Sequence, residues 1–292
     1  MSLKFNIKVA DIAIEYEAFH PDYFPQKLSL YSSEEPPQLR MKYEVVEKIE
    51  LPPHKLIKQV KDSFICSLDN GNRLVYLKSR ANGTIINSYE FSPDYTYGLA
   101  KAIHQEPTER VSLTDGDREY LKSGAMFNNR LLYLGGATIH GSCIEYKGEG
   151  VIFSAPCGTG KSTHTALWKQ TFGEDVGFIN DDKPCVRFEG ERAMVYGAPW
   201  SGKTDLQSNK KVPLKAIVFI KRADENSIAL LDAATSLCYL RDQTFSPFYD
   251  AALSLKNLEL IEKLIASVPI YVLSCNMETD AAITAKNAIF KE

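Results

Sequence analysis

Three features that would place a chain in a special class are missing from these 292 residues. The six cysteines are scattered and form no C-x-x-C pair, which argues against a zinc site and a disulfide framework. No apolar run approaches the roughly 18 residues of a membrane-spanning helix, and the N-terminus has no apolar signal core. The net charge of −3 argues against a broad nucleic-acid or membrane surface. We therefore expect a soluble, cytoplasmic protein that binds neither nucleic acid nor membrane.

The first part of the chain has the pattern of β-strands. Apolar and polar residues alternate in Phe5–Val9 and Ile12–Tyr16, and a period of two is typical of half-buried strands. Asp69–Asn72 contains an Asn-Gly pair, which favours a hairpin turn. Further predicted strands are Glu44–Ile49, Phe64–Leu68, Arg73–Lys78 and Thr84–Phe91. These patterns predict a β-rich N-terminal domain at residues 1–105.

The remaining residues, 106–292, mix helical periods with short apolar strands. Predicted helices are 115–134, 161–172, 233–241, 247–265 (with Ser246 as its cap) and 280–290. Predicted strands are 139–146, 151–153, 176–180, 185–188, 193–196, 216–221, 227–231 and 270–274, with 216–221 and 227–231 paired in a hairpin. Because hairpins interrupt the alternation of strand and helix, we predict an α/β domain with a mixed sheet, and an α+β chain overall.

One segment between a predicted strand and a predicted helix carries the strongest motif. From Ala155 to Ser162 the sequence has the spacing [A/G]-x-x-x-x-G-K-[S/T] of a P-loop. Glycines let consecutive N–H groups turn towards an anion, and the following helix adds the positive end of its dipole. Lys161 would contact the β- and γ-phosphates, and the Ser162 hydroxyl would bind Mg²⁺. The predicted nucleotide-binding residues are Cys157, Gly158, Thr159, Gly160, Lys161, Ser162 and Thr163; the alternative is a glycine-rich turn that binds nothing.

Two adjacent carboxylates follow the next apolar strand. Asp181 and Asp182 end the segment that begins at Val176, and ligands of open α/β sheets lie at the carboxyl ends of strands. One carboxylate would bind Mg²⁺, and the other would accept the proton of an attacking hydroxyl. The sequence leaves open which aspartate has which role. The alternative is a solvated surface turn.

Two further polar residues are candidates for the same site. His140 precedes the P-loop strand, and in a hairpin of residues 139–146 with 150–155 it would lie at the P-loop end of the sheet. Lys203 lies in the glycine-containing loop 197–204 and would contact the γ-phosphate during transfer. A structural histidine and a solvated surface lysine are the respective alternatives.

Together these motifs resemble a known family. His140-Gly141, Ala155–Thr163 and Ile179–Asp182 are similar to the catalytic domain of HPr kinase/phosphorylase and its kinase-like relatives, over roughly residues 135–290. The resemblance implies a fold shared with ATP-dependent phosphoenolpyruvate carboxykinase, ATP and Mg²⁺ as cofactors, an active-site histidine and a catalytic aspartate. Since the chain has no counterpart of the family's Pro- and Arg-rich signature loop, phosphorolysis is not implied.

The predicted activity is transfer of the γ-phosphate of ATP to a hydroxyl. The acceptor would be a serine of a small protein or peptide, by analogy with related kinases. Two alternatives remain: a small-molecule kinase with the same site, and a nucleotide-sensing protein without turnover. Because relatives form oligomers, a homo-oligomer also remains open.

Overall fold

The computed structural model describes residues 3–20, 25–107, 112–202 and 204–291. The chain folds into two compact units: Met1–Tyr133 with Pro247–Ala251, and Leu134–Ser246 with Ala252–Glu292. It is a mixed α/β protein with one mixed sheet in each unit. The domain boundary at residues 105/106 stays a prediction.

The first unit is built on an eight-stranded sheet in the order β1-β2-β3-β8-β7-β6-β5-β4. Its strands are β1 (Leu3–Val9), β2 (Ile12–Ala18), β3 (Leu39–Val45), β4 (His54–Val60), β5 (Ser63–Leu68), β6 (Arg73–Lys78), β7 (Ile85–Phe91) and β8 (Tyr97–Ala102). Two helices accompany them, α1 (Pro25–Ser29) and α2 (Asp115–Tyr133). Pairing is parallel for β2 with β3 and for β3 with β8, and antiparallel elsewhere.

Several strand predictions in this unit are confirmed, and one is wrong. The Asp69–Asn72 turn joins β5 to β6, with Gly71 at φ +84°. The strand predicted at Glu44–Ile49 instead lies at Leu39–Val45, where three buried apolar residues alternate with polar ones. Strand β4 has no sequence signal, because it lies at the end of the sheet with almost every residue exposed and so lacks the buried face that gives a period of two.

Helix α2 begins at a reciprocal cap and packs against β3 and β8. The N–H of Asp117 donates to Thr114 Oγ1 (3.1 Å), and the N–H of Thr114 donates to Asp117 Oδ2 (2.9 Å). On the buried face, Glu119 is fully enclosed. Its carboxylate accepts hydrogen bonds from the Tyr16 hydroxyl (2.5 Å), the N–H groups of Phe19 and His20 (2.9 and 2.8 Å), and contacts the His20 ring. The predicted helix is confirmed. Its one buried carboxylate, that of Glu119, holds the backbone in place just after β2.

A short segment from later in the chain completes the first unit. The Asp250 carboxylate accepts hydrogen bonds from the Arg73 guanidinium and the Tyr95 hydroxyl. The Tyr249 ring stacks on Phe91 with a centroid distance of 5.8 Å. The helix predicted to begin at Pro247 therefore begins only at Ala251, and Ser246 is not its cap.

The second unit has a nine-stranded sheet whose main path is β12-β10-β11-β15-β14-β13-β9. Its strands are β9 (Ala137–Thr138), β10 (Gly141–Tyr146), β11 (Glu149–Ser154), β12 (Val176–Asn180), β13 (Cys185–Glu189), β14 (Arg192–Tyr196), β15 (Lys211–Arg222), β16 (Ser227–Leu230) and β17 (Ile270–Cys275). Its helices are α3 (Lys161–Phe172), α4 (Ala233–Gln243), α5 (Ala251–Ser267) and α6 (Thr279–Ile289), with a 3-10 turn at Gly173–Asp175.

Two pairing details of this sheet differ from prediction. The hairpin of 216–221 with 227–231 does not form, because β17 pairs in parallel with β15 and antiparallel with β16. The predicted strand 139–146 begins only at Gly141, as β10, and the separate short strand β9 precedes Ile139 and His140. The His140 N–H donates to Gln243 O (2.7 Å), so the backbone turns out of the sheet at this point.

The core of the second unit fixes the start of α3. Trp168 is fully buried and packs against the rings of Tyr146 and Phe153, with centroid distances of 5.5 and 5.7 Å. Helix α6 covers the same cluster. Helix α3 is held in place because its apolar face packs in this core. The loop between β11 and α3 is therefore anchored at both ends.

Candidate functional site

Four strand ends meet at one edge of the second sheet. Strands β11, β15 and β17 are mutually parallel, and β11 and β12 are both antiparallel to β10. The carboxyl ends of all four strands therefore lie at the same edge, where α/β sheets bind ligands. The predicted hairpin of β10 with β11 is confirmed and pairs Gly141 with Ser154, so His140 lies at this edge too.

The glycine-rich loop, residues 155–160, leaves β11 at this edge. Gly158 and Gly160 have φ of +76° and +115°, a left-handed backbone that favours glycine. Helix α3 begins directly afterwards with no side-chain cap. The N–H groups at its start are thus available to an anion, and the helix dipole favours negative charge there.

Lys161 folds back over the loop. It is 8% exposed, and Nζ donates to Ala155 O (3.0 Å) and Pro156 O (3.4 Å). Burial lowers the pKa of the Lys161 ammonium, while Cys157, Asp182 and Asp181 act in the opposite direction. The cation therefore lies within electrostatic reach of both aspartates.

Asp181 is buried, and both of its oxygens are engaged. Oδ1 accepts a hydrogen bond from Ser142 Oγ (2.6 Å), and Oδ2 accepts one from Thr204 Oγ1 (2.8 Å). Ser142 Oγ also lies 2.9 Å from Thr165 Oγ1, and Thr165 Oγ1 lies 3.1 Å from Ser162 O in the first turn of α3. Because the only Ser142 hydroxyl proton goes to Asp181, the Thr165 hydroxyl donates to Ser142 and its single proton is then not given to Ser162 O. The carboxylate is thereby joined to helix α3 through Thr165.

Asp182 is more open than its neighbour. Its side chain is 25% exposed, with Oδ1 3.7 Å from His140 Nε2 and Oδ2 3.4 Å from Lys183 Nζ. Asn180 Oδ1 shapes the turn by accepting the N–H groups of Asp182 (2.9 Å) and Lys183 (2.6 Å). Gly202, at φ +71°, lies so close that an added Cβ would be 2.9 Å from Asp182 Cβ. This open carboxylate is therefore held by backbone geometry on two sides.

The His140 ring is oriented by Gln243. Nδ1 lies 3.0 Å from Gln243 Oε1, so with this amide assignment Nδ1 carries the proton and Nε2 accepts. Burial and the Lys161 charge lower the pKa of His140, opposed by Gln243 and Asp182. At neutral pH the ring is neutral and presents an acceptor nitrogen towards Asp182.

A second histidine, His164, lies beneath the loop in α3. It is 1% exposed, and its Nε2 accepts a hydrogen bond from Trp168 Nε1 (3.1 Å). Its Nδ1 has no hydrogen-bond partner among the residues that the structure describes. Burial lowers the pKa of His164 to about 4.

The structure brings most of the predicted site residues to this edge. Gly158, Gly160, Lys161, Asp181, Asp182 and His140 all lie there, and Cys157, Ser162 and Thr163 are exposed on or next to the loop. Lys203 lies outside the described residues. Its loop does approach the site, through Gly202 and Thr204.

Sequence reasoning missed the residues that hold the site from behind. Ser142 and Thr165 bridge Asp181 to α3, Asn180 shapes the aspartate turn, and Arg222 binds the loop from β15. Asn180 had a local signal, because it immediately precedes the aspartate pair. The partners of Ser142 and Arg222 are 39 and 64 residues away in sequence, so no spacing rule indicates them.

Two kinds of feature are absent from the described part of the chain. No group of three or more His, Cys, Asp or Glu side chains there is placed to hold a metal ion. Among the helices of the same residues, none is both long and apolar enough to cross a membrane.

Comparisons with known proteins give likenesses to solved structures alone. No protein-family model matches the chain, and no curated protein matches it. The structure of the Hpr(Ser) kinase/phosphatase from Coxiella burnetii is similar at 9% sequence identity and a TM-score of 0.32, over 53% of this chain and 97% of that one. A likeness at this level does not assign a function, and membership of the HPr kinase-like family stays a prediction.

Proposed function

We propose that the chain is an ATP- and Mg²⁺-dependent kinase that transfers the γ-phosphate to a hydroxyl, preferably a serine of a small protein or peptide. One observation carries the proposal. The glycine-rich loop with its Lys161 lies at the same sheet edge as Asp181, Asp182 and His140, and Lys161 lies within electrostatic reach of all three. An anion site beside a carboxylate pair is the arrangement that phosphoryl transfer needs.

The loop residues bind the donor. The N–H groups at the start of α3 and the Lys161 ammonium would hold the β- and γ-phosphates. Lys161 already donates to two carbonyl oxygens of its own loop, so phosphate oxygens would replace acceptors of the same kind. Cys157, Gly158, Thr159 and Gly160 contribute backbone, and Ser162 and Thr163 contribute hydroxyls.

The oxygens at this edge fit Mg²⁺, which prefers one or two carboxylates together with substrate phosphates. Ser162 supplies a hydroxyl in the first turn of α3. Asp181 is the better metal-side carboxylate, because Ser142 and Thr204 orient its oxygens and metal-binding carboxylates are usually hydrogen-bonded from behind. When bound, the ion would neutralise charge that develops on the transferred group.

Asp182 is then the proton acceptor. Its carboxylate is partly exposed and is held in place by Asn180 and Gly202. The acceptor hydroxyl would lose its proton to Asp182 as its oxygen forms the bond to γ-phosphorus and the bond to the bridging oxygen breaks. The neutral His140, whose Nε2 lies 3.7 Å from Asp182 Oδ1, would line the acceptor side of the site beside that carboxylate. Lys203, in the loop that carries Gly202, is proposed to approach the γ-phosphate.

Calorimetry with ATP and Mg²⁺ tests the donor site first. Wild type should bind, and Lys161→Ala should not, because the phosphate charge loses its cation. Lys169→Ala is the matched control: it removes a lysine from the same helix that instead contacts Glu174 and Val176 O. Failure of the wild type to bind any nucleotide would overturn the proposal.

Transfer of labelled γ-phosphate tests the chemistry. Asp182→Asn should keep nucleotide binding and lose transfer to peptide or protein acceptors. Phosphorylation of a metabolite panel without any protein acceptor would replace the peptide proposal with a small-molecule kinase. If biological activity survives Asp181→Ala and Asp182→Ala but not Lys161→Ala, the chain senses nucleotide without turnover.

A further inference from the structure

The glycine-rich loop has two flanks, because β11 lies between β10 and β15 in the sheet. On one flank are His140, before β10, and the aspartate pair, after β12. The other flank is formed by the end of β15, which carries Arg222, and by the turn after β17, which carries Met277. The proposed transfer chemistry uses only the first flank.

Arg222 binds the loop backbone from the second flank. Its Nε donates to Thr159 O (3.1 Å), and a terminal nitrogen donates to Gly158 O (2.5 Å). In a trans peptide the N–H points opposite to the C=O of the same unit. The N–H groups of Thr159 and Gly160 are therefore directed away from Arg222, and one guanidinium sets the orientation of two consecutive peptide units.

Met277 lies beside the loop on the same flank. Its side chain is 50% exposed, and its Sδ and Cε are 3.5 and 3.6 Å from where a Cβ would lie on Gly160. The preceding residue is fixed, since Asn276 N–H donates to Asn226 Oδ1 (3.0 Å). The half-exposed, polarizable Met277 side chain, next to the glycine-rich loop, offers a surface on which an aromatic ring can pack.

We propose that the nucleoside part of the donor lies over this second flank, with Met277 against the base and Arg222 as a positioning residue for the loop. The inference rests on the proposed function. If the γ-phosphate faces Asp182, the polyphosphate crosses the loop and the nucleoside leaves on the opposite side. That side is where β15 and β17 end.

Calorimetry with two probes, Mg²⁺-ADP and Mg²⁺-pyrophosphate, separates the two roles. Met277→Ala should weaken ADP about tenfold and leave pyrophosphate unchanged, because only ADP carries a base. Arg222→Ala should weaken both probes about tenfold, and Arg222→Lys should restore part of the affinity, since Lys also donates to carbonyls. Leu230→Ala and Arg241→Ala, at exposed positions of β16 and α4, are the controls.

The outcomes distinguish this inference from the proposed function. Equal losses for both probes in Met277→Ala, or no loss in any variant while wild type binds both, would overturn the nucleoside placement alone. Wild type that binds neither probe would overturn the kinase proposal and this inference together. Retained pyrophosphate binding in Met277→Ala also shows that the variant is folded.

Discussion

Ser142 Oγ lies 2.6 Å from Asp181 Oδ1 and 2.9 Å from Thr165 Oγ1, so one hydroxyl joins the aspartate turn to helix α3. All three side chains are buried. Since hydrogen bonds to charged groups in the interior are among the stronger ones, this bridge fixes the distance between Asp181 and the turn that carries Ser162.

Removing either hydroxyl of this bridge should uncouple the carboxylate from α3. Ser142→Ala and Thr165→Val are expected to lower the transfer rate about tenfold to 100-fold, which corresponds to about 1.5–3 kcal/mol. Thr171→Val is the control, because Thr171 donates to Leu167 O in the same helix and does not contact Asp181. Steady-state transfer kinetics measure the effect. If Thr171→Val impairs transfer as much as Thr165→Val does, the loss comes from the helix and not from the bridge.

Gly202→Ala should damage transfer without damaging nucleotide binding. The new Cβ would meet Asp182 Cβ at 2.9 Å, and φ is +71°, so the open carboxylate is pushed from its position. Gly190→Ala is matched to it: φ is +59° and an added Cβ has no neighbour within 4 Å. Both variants should lose about 1 kcal/mol of stability, but only Gly202→Ala should lose transfer. Calorimetry measures nucleotide binding by both variants, and transfer assays measure their activity. Equal transfer activity of the two variants would show that Gly202 does not position Asp182.

The second unit should lose stability in mild acid because of His164. Its pKa is lowered to about 4 in the folded state, against an ordinary value of 6.5. The unfolded chain therefore binds the proton more readily between these values, and stability falls as pH drops through this window. The free energy of unfolding is not reduced by this effect above pH 6.5, and below pH 4 it is lower by roughly 3 kcal/mol.

Denaturant unfolding from pH 7 to pH 4, followed by tryptophan fluorescence, tests this. Both tryptophans, Trp168 and Trp200, lie in the second unit, so the signal reports that unit. His164→Met should show a shallower decline of the free energy of unfolding with falling pH than wild type. Parallel curves would contradict the assignment.

Glu119→Gln should destabilise the first unit. The amide NH2 would replace one carboxylate oxygen and face groups that are themselves donors: either the Tyr16 hydroxyl and the Phe19 N–H, or the His20 N–H. The expected loss is about 2–4 kcal/mol. Hydrogen exchange of the β2 amides measures it, with Glu106→Gln, at a largely exposed side chain, as the control. Unchanged protection after the Glu119→Gln substitution would show that the carboxylate is not needed.

Local chemistry made the glycine-rich loop and the aspartate turn predictable. Helix α3 occupies 161–172 as predicted, because Gly160 and Gly173 mark its ends. Asp181 and Asp182 follow a short apolar strand, and that strand ends at the same sheet edge. In each case the deciding signal lies within a few residues of the feature.

What could not be predicted depends on pairing over long distances. Strand β16 follows β15 closely, yet it pairs with β17, about 45 residues later, because β17 fits in parallel beside β15. Arg222 reaches the loop only because that same strand β15 lies beside β11. The roles of Ser142 and Arg222 are consequences of sheet order, which a single sequence does not encode in its spacing.

The four-residue stretch 247–250 changes how this protein can be dissected. Asp250 receives hydrogen bonds from Arg73 and Tyr95, although it lies 177 and 155 residues further along the chain. A fragment ending at Tyr133 would retain every strand of the first sheet and yet leave a guanidinium and a strained tyrosine, at φ +59°, without their shared acceptor. Each unit is discontinuous in sequence. The smallest fragment that keeps all the contacts of the first sheet is therefore residues 1–133 fused to residues 247–251.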